Sequence, residues 1–356
     1  MTPAQHFSCT FPWLLGLALA QDPAWTPATV AVIKAAIERD RIPGLSCVVA
    51  VGEQKPFQQG FGFADIENEV PATPQTVYRL ASISKMVTAV AAMQLAEAGK
   101  LDLDADVATL VPAWPKKDWP VTTRQLLAHL GGVRHYRDEG ESTHHYATQT
   151  EALPRFAADP LKHQPGTAYH YSTYGFNLVA AVVEATTKQP FAQVVAERVA
   201  GPAGARSLQD DDVRRIVRGR AQGYIRVDGV LQNSALMDAS YKLGGGGLCA
   251  SAEDLAAFGQ ALLAGKLCSR KSLEAMWTRQ QTLAGTEIEY GLGCRVDRSS
   301  GRLVVSHSGA QSRVSTMLYL LPEQGVVVVV LCNLEKVRLQ PLAQQVAELV
   351  APMAKK

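Results

Sequence analysis

Ser82 and Lys85 stand three positions apart in Ala81-Ser82-Ile83-Ser84-Lys85-Met86, a hydroxyl and an amine in the pattern S-x-x-K. On a helix, residues i and i+3 share a face with Cβ atoms roughly 5–6 Å apart, so the amine reaches the Ser82 hydroxyl. Ser84 is adjacent to Lys85 and points elsewhere, which leaves it at most a helper. Serine is a weak nucleophile near neutral pH and needs a base in contact. Lys85 supplies one once its pKa is lowered, and the positive end of a helix favours charge developing on Ser82. By itself the pattern is weak, since a lone S-x-x-K arises by chance about once in a chain of this length. Other polar clusters able to fold back on Ser82 would promote it.

Two such clusters exist. Residues 165–177, with Tyr169, Tyr171, Ser172, Thr173 and Tyr174, form a hydroxyl-rich loop that feeds a helix. Ser306-His307-Ser308-Gly309-Ala310 ends a strand, where a glycine lets a substrate lie against the backbone.

The elements that must position these groups follow from periodicity. Residues 82–98 hold neither Gly nor Pro, Met86, Val87, Val90 and Met93 fall at helical spacing, and Gly99 stands where a helix stops. Further helices are expected over 27–40, 122–130, 176–188, 251–263 with Ser251 as cap, and 340–350. Strands are expected over 45–51, 56–64, 291–296, 303–307, 315–321 and 326–332. The first two and the last two are linked too briefly to be anything but antiparallel. Residues 224–231 read as a hairpin turning at Asp228-Gly229. Strands at both ends with helices between them predict an α+β fold, one antiparallel sheet built from both termini and flanked by helices. At 356 residues the chain exceeds a usual single core, so two packed lobes are expected, an α/β lobe of about 21–81 and 241–356 and an inserted helical lobe of about 82–240.

Composition bounds the function. A net charge of +2 leaves no electrostatic footprint for nucleic acid. The run Asp210-Asp211-Asp212-Val213-Arg214-Arg215 reads as an exposed helix whose charges suit its dipole. Residues 11–20 form an apolar run closing in Ala18-Leu19-Ala20, the pattern of a signal peptide cleaved after Ala20, although no Lys or Arg precedes it. Too short to span a bilayer, it implies a secreted or periplasmic protein if processed and a cytoplasmic one otherwise. Cys47, Cys249, Cys268, Cys294 and Cys332 contain no C-x-x-C and read as buried thiols rather than a disulfide framework or a zinc site. Six of the eight histidines lie between 129 and 170, without metal-ligand spacing, and read as surface and helix-packing residues. The Gly244–Gly247 run lacks the frame of a phosphate loop and reads as close backbone packing behind the site.

The order S-x-x-K, Y-x-T, H-x-G resembles that of the serine β-lactamase-like and penicillin-binding-protein-like family, which includes class C β-lactamases and family VIII esterases. The matching residues are Ser82 to Lys85, Tyr171 to Thr173 and His307 to Gly309, and the strings 126–136 and 241–248 extend the match. The mitochondrial β-lactamase-like branch and its bacterial relatives look most similar, through Arg134-His135-Tyr136 and Tyr171-Ser172-Thr173. The resemblance implies a β-lactamase/transpeptidase-like fold and a serine hydrolase working through an acyl-enzyme on Ser82, without cofactor or metal. Lys85 would be its partner, Tyr171 the proton shuttle, the backbone N–H groups of Ser82 and Ala310 the oxyanion hole, and Thr173, His307, Ser308 and Gly309 the substrate contacts. Tyr171 beside an ammonium is expected to have its pKa pushed down and to titrate together with Lys85. Two departures bear on substrate. Thr173 replaces the family's Asn and His307 its Lys, which favours esters or peptides over β-lactams and makes an imidazolium the expected anion contact. Substrates are then small molecules or peptides, homo-oligomerisation is open, and the rival readings are a non-catalytic filament-forming or ligand-binding protein on this fold and a zinc hydrolase.

Overall fold

The computed structural model describes residues 22–136, 143–298 and 300–351. The apolar run 11–20 lies outside them. Strands Gly44–Val51 (β1), Phe57–Asp65 (β2) and Val70–Pro71 (β3) open the chain, and Val77–Arg79 (β4), Gln209–Asp210 (β5), Tyr224–Val227 (β6), Val230–Asn233 (β7) and Leu248–Ser251 (β8) follow. Arg295–Asp297 (β9), Val304–Gln311 (β10), Val314–Leu321 (β11) and Val326–Cys332 (β12) come last.

Among the described residues the main sheet has seven strands in the order β3-β2-β1-β12-β11-β10-β9, each neighbouring pair antiparallel. The first strands thus pair with the last, as the α+β reading expects. A strand's side chains alternate between faces, and β12 shows why it is apolar without a break. Val327, Val329 and Leu331 enter one core, and Val326, Val328, Val330 and Cys332 enter the other. Helices Thr26–Asp40 and Gln340–Val350 cover the second face through Ile33, Ala36, Leu342 and Val346. Helices Ser84–Glu97, Thr173–Thr187 and Ala252–Leu263 cover the first. A helix packed on all sides carries no polar stripe, and Ser84–Glu97 is such a helix, buried from Ser84 through Met93.

Several expectations are corrected. The acidic run is no exposed helix: Gln209–Asp210 is a strand beside β8, and Asp211 is buried between Arg79 at 2.6 Å and Arg220 at 3.3 Å. Those partners come from distant segments, so local charge order misplaced it. Residues 291–294 are a turn rather than a strand: Gly293 takes φ 87°, and a Cβ there would meet Ala89 of the Ser84–Glu97 helix at 2.4 Å. The helix expected over 122–130 is shorter, Thr123–Leu127, and ends where His129 turns to φ 59°. The helix expected from 176 starts at Thr173, capped by the Ser172 hydroxyl accepting from the Gly175 N–H. Among the described residues, Cys47, Cys249, Cys268, Cys294 and Cys332 are buried and free. No described helix is long and apolar enough to cross a membrane.

Candidate active site

Ser82 sits in a 3₁₀ turn, Ala81–Ile83, that runs directly into the Ser84–Glu97 helix. Ala81 enters that turn at φ 48°, a left-handed conformation that is costly for a residue with a Cβ and is held by its burial. Three residues on, the Lys85 amine lies 3.0 Å from the Ser82 hydroxyl, 3.2 Å from Thr173 Oγ1 and 2.6 Å from the Gly245 carbonyl. Lys85 is fully buried, and burial first, then the charge of Lys242, holds its pKa well below the ordinary lysine value. A neutral amine fits the contacts. Two N–H groups donate to Gly245 and Thr173, which leaves the lone pair for the Ser82 O–H. Ser84 faces away, its hydroxyl accepting from the Leu248 N–H of β8 at 3.2 Å.

Gly245 explains the glycine run. A side chain there would meet Thr173 Cγ2 at 2.6 Å, and the carbonyl that holds Lys85 would be displaced.

Tyr171 precedes the Thr173–Thr187 helix, its ring 4.8 Å from the Lys85 amine. Burial raises the phenol's pKa, against the pull of its hydrogen bond with Ser82. The expectation of a lowered phenol is thus corrected. It assumed a neighbouring ammonium, whereas the lysine is itself driven toward neutrality and desolvation dominates both groups.

Two histidines hold this corner in place, a role that sequence reasoning missed. A helix start leaves backbone N–H groups without partners. Here the Ser172 N–H donates to His129 Nδ1 at 3.1 Å and the Thr173 N–H to His135 Nδ1 at 3.0 Å. Accepting requires unprotonated nitrogens, and burial lowers both pKa values, that of His135 to about 4. The nearness of His129 and His135 to Arg134 in one string was a signal without an assignable partner.

β10 brings the third cluster. β9 pairs with it only from Val304 to Ser306, so beyond that its outer edge faces the Ser82 turn. Gly309 lies against the Leu80 carbonyl and Ala81, with Ser308 and Ala310 exposed on either side. His307 is buried instead. Its Nδ1 lies 2.7 Å from the Ser308 carbonyl, which can only accept, so Nδ1 carries the proton and Nε2 accepts from the Tyr290 hydroxyl at 2.9 Å. Burial pushes its pKa down to about 3. The expected imidazolium anion contact is therefore overturned, since both nitrogens are engaged and the ring is neutral at working pH. Between about pH 5 and 8, kcat/KM for an anionic and a neutral ester should follow parallel profiles. A selective fall for the anionic ester would restore a charged His307.

Ser82, Lys85, Tyr171, Thr173 and the β10 edge thus converge on one site. A family model described as Beta-lactamase matches residues 30–351. The human mitochondrial serine beta-lactamase-like protein LACTB is 27% identical, over 86% of this chain and 76% of that protein. The crystal structure of a penicillin binding protein from Bacillus halodurans superposes with a TM-score of 0.77 at 26% identity, covering 90% of this chain and 99% of that one. A D-amino acid amidase from Ochrobactrum anthropi SV3 superposes with a TM-score of 0.80 over 92% of this chain and 99% of its own, and at 20% identity that shows the fold alone.

Proposed function

The chain belongs to the beta-lactamase family, an enzyme family of serine hydrolases, and on that premise we propose that it cleaves esters or peptide-like amides through an acyl-enzyme on Ser82. The observation that carries this reading is the Lys85 amine, fully buried, its pKa held well below the ordinary lysine value, and 3.0 Å from the Ser82 hydroxyl. Ser82 Oγ attacks the substrate carbonyl carbon while its proton passes to Lys85. The oxyanion that forms is received by the backbone N–H groups of Ser82 and Ala310. Tyr171, a neutral phenol bonded to Ser82, delivers a proton to the leaving group and regains one from Lys85. Water then attacks the acyl carbon by the same path in reverse, releasing the acid and restoring Ser82. Thr173 fixes the amine, and the substrate lies along Ser308 and Gly309. A neutral His307 supplies no anchor for the carboxylate of a β-lactam, which supports ester and amide substrates ahead of antibiotics.

The test is labelling with a fluorophosphonate followed by peptide mapping, with a panel of short-chain esters, small peptides and chromogenic cephalosporins beside it. Label on Ser82 and turnover of an ester or peptide are expected. Label on Ser84 instead, or no label on folded protein, would refute the assignment.

A further inference from the structure

Behind the Ser82 turn lies a group of charges that the hydrolytic reading leaves unused. Arg79 ends β4, three residues before Ser82, and is 6% exposed. Its Nε pairs with Asp211 at 2.6 Å, its Nη2 donates to the Met237 carbonyl at 2.7 Å, and its Nη1 is buried without a partner. Arg220 takes the other oxygen of Asp211 at 3.3 Å. Arg313, in the turn from β10 to β11, donates to Gln222 at 2.6 Å, and among the described residues no carboxylate lies within ion-pair distance of its guanidinium. Two guanidinium groups thus share the Asp211 carboxylate, and a third, that of Arg313, stands beside them without one of its own. Burial first, then the charge of Arg79, lowers the pKa of Arg313, with Asp211 pulling the other way and Arg220 adding to the fall.

These three arginines line one cavity of about 70 Å³, together with Tyr78, Ala221 and Leu236. About 10–15 Å³ admits one water-sized group, so the space holds roughly five to seven, enough for a tetrahedral ion of about five heavy atoms. Guanidinium forks match pairs of oxygens better than a spherical ion.

We propose that this cavity is a binding site for a small inorganic oxyanion of the phosphate type, held by Arg79, Arg220 and Arg313. The anion offsets the surplus charge and ties β4, which leads into Ser82, to the turn that follows Ala310. The site stands apart from the proposed hydrolysis, and neither depends on the other.

Titration calorimetry of the full chain with sodium phosphate tests it, in chloride-free buffer with ionic strength held by sodium gluconate. One saturable site is expected, with a Tm that rises to a plateau gluconate does not reproduce. Chloride should bind about tenfold more weakly or worse, lacking oxygens to fork. Arg313→Met should lower phosphate affinity about tenfold or more while keeping the wild-type circular dichroism. Should that variant fail to fold, Arg313→Lys takes its place, keeping the charge and losing the fork, with a smaller loss expected. The proposal is overturned by a wild-type protein with no saturable heat and a Tm that tracks ionic strength alone. Equal affinity for chloride and phosphate, or wild-type affinity in the folded Arg313 variant, overturns it as well.

Discussion

Ser82→Ala is expected to lower kcat/KM by about 10⁴-fold or more, and Lys85→Met to cause a loss of the same order rather than a further one. The two residues act as one unit. Without the hydroxyl there is no group to acylate, and without the amine the hydroxyl keeps its proton, so the second deletion removes what the first has already disabled. Ser84 offers no rescue, because its hydroxyl is engaged with the Leu248 N–H on the far side of the helix. Their effects on stability should separate them from unfolding. Ser82 is half-buried, and its hydroxyl bonds inside the site, to Lys85 and Tyr171. Lys85→Met replaces a buried amine with an apolar chain of similar length, so the lost donors to Gly245 and Thr173 are weighed against a removed desolvation cost. Both variants should keep a cooperative melt close to that of wild type. Turnover by Ser82→Ala within tenfold of wild type would end the acyl-enzyme reading.

Legibility in the sequence followed the range of the interactions. β12 was readable because seven consecutive apolar residues have no other use than burial on two faces, and the helix at 340–350 because its own period encodes it. The pairing of Ser82 with Lys85 was readable for the same reason, being local to one helical turn. What escaped depends on contacts between distant segments. Asp211 looked like a solvated charge until Arg79 and Arg220 arrived from elsewhere in the chain. Tyr290 carried no motif, yet its hydroxyl occupies Nε2 of His307. The electrostatic errors share one cause. The reading from sequence set charges beside one another as if in water, and so expected a lowered Tyr171 and a titrating His307. Burial governs both groups instead and keeps each in its neutral form.

Lys242→Met is expected to move the ascending limb of the kcat/KM profile to higher pH. Lys85 works as a base only when neutral, so activity appears as pH rises through its pKa. Lys242 ends the 3₁₀ turn Ser240–Lys242, three residues before the Gly245 carbonyl that holds Lys85, with its amine 5.1 Å from the Tyr136 ring and itself buried. After burial, its charge is the remaining cause of the lowered Lys85 pKa. Removing a positive neighbour makes the Lys85 ammonium easier to keep, so its pKa rises and the limb follows. The other groups facing the amine do not confuse the assignment. His135 and His307 lose their protons near 4 and 3, His129 is held well below its ordinary value, and Tyr171 is raised above its own. An ascending limb above the range of those histidines therefore reports Lys85. Below the limb activity falls tenfold per pH unit, so each unit of displacement is read as one decade lost at fixed pH, while the plateau reached at higher pH is preserved. Lys242→Arg, which keeps the charge, should restore the wild-type limb. A limb unmoved in Lys242→Met, or a plateau lowered equally at every pH in both variants, would reduce Lys242 to a packing residue and leave burial alone to tune the base.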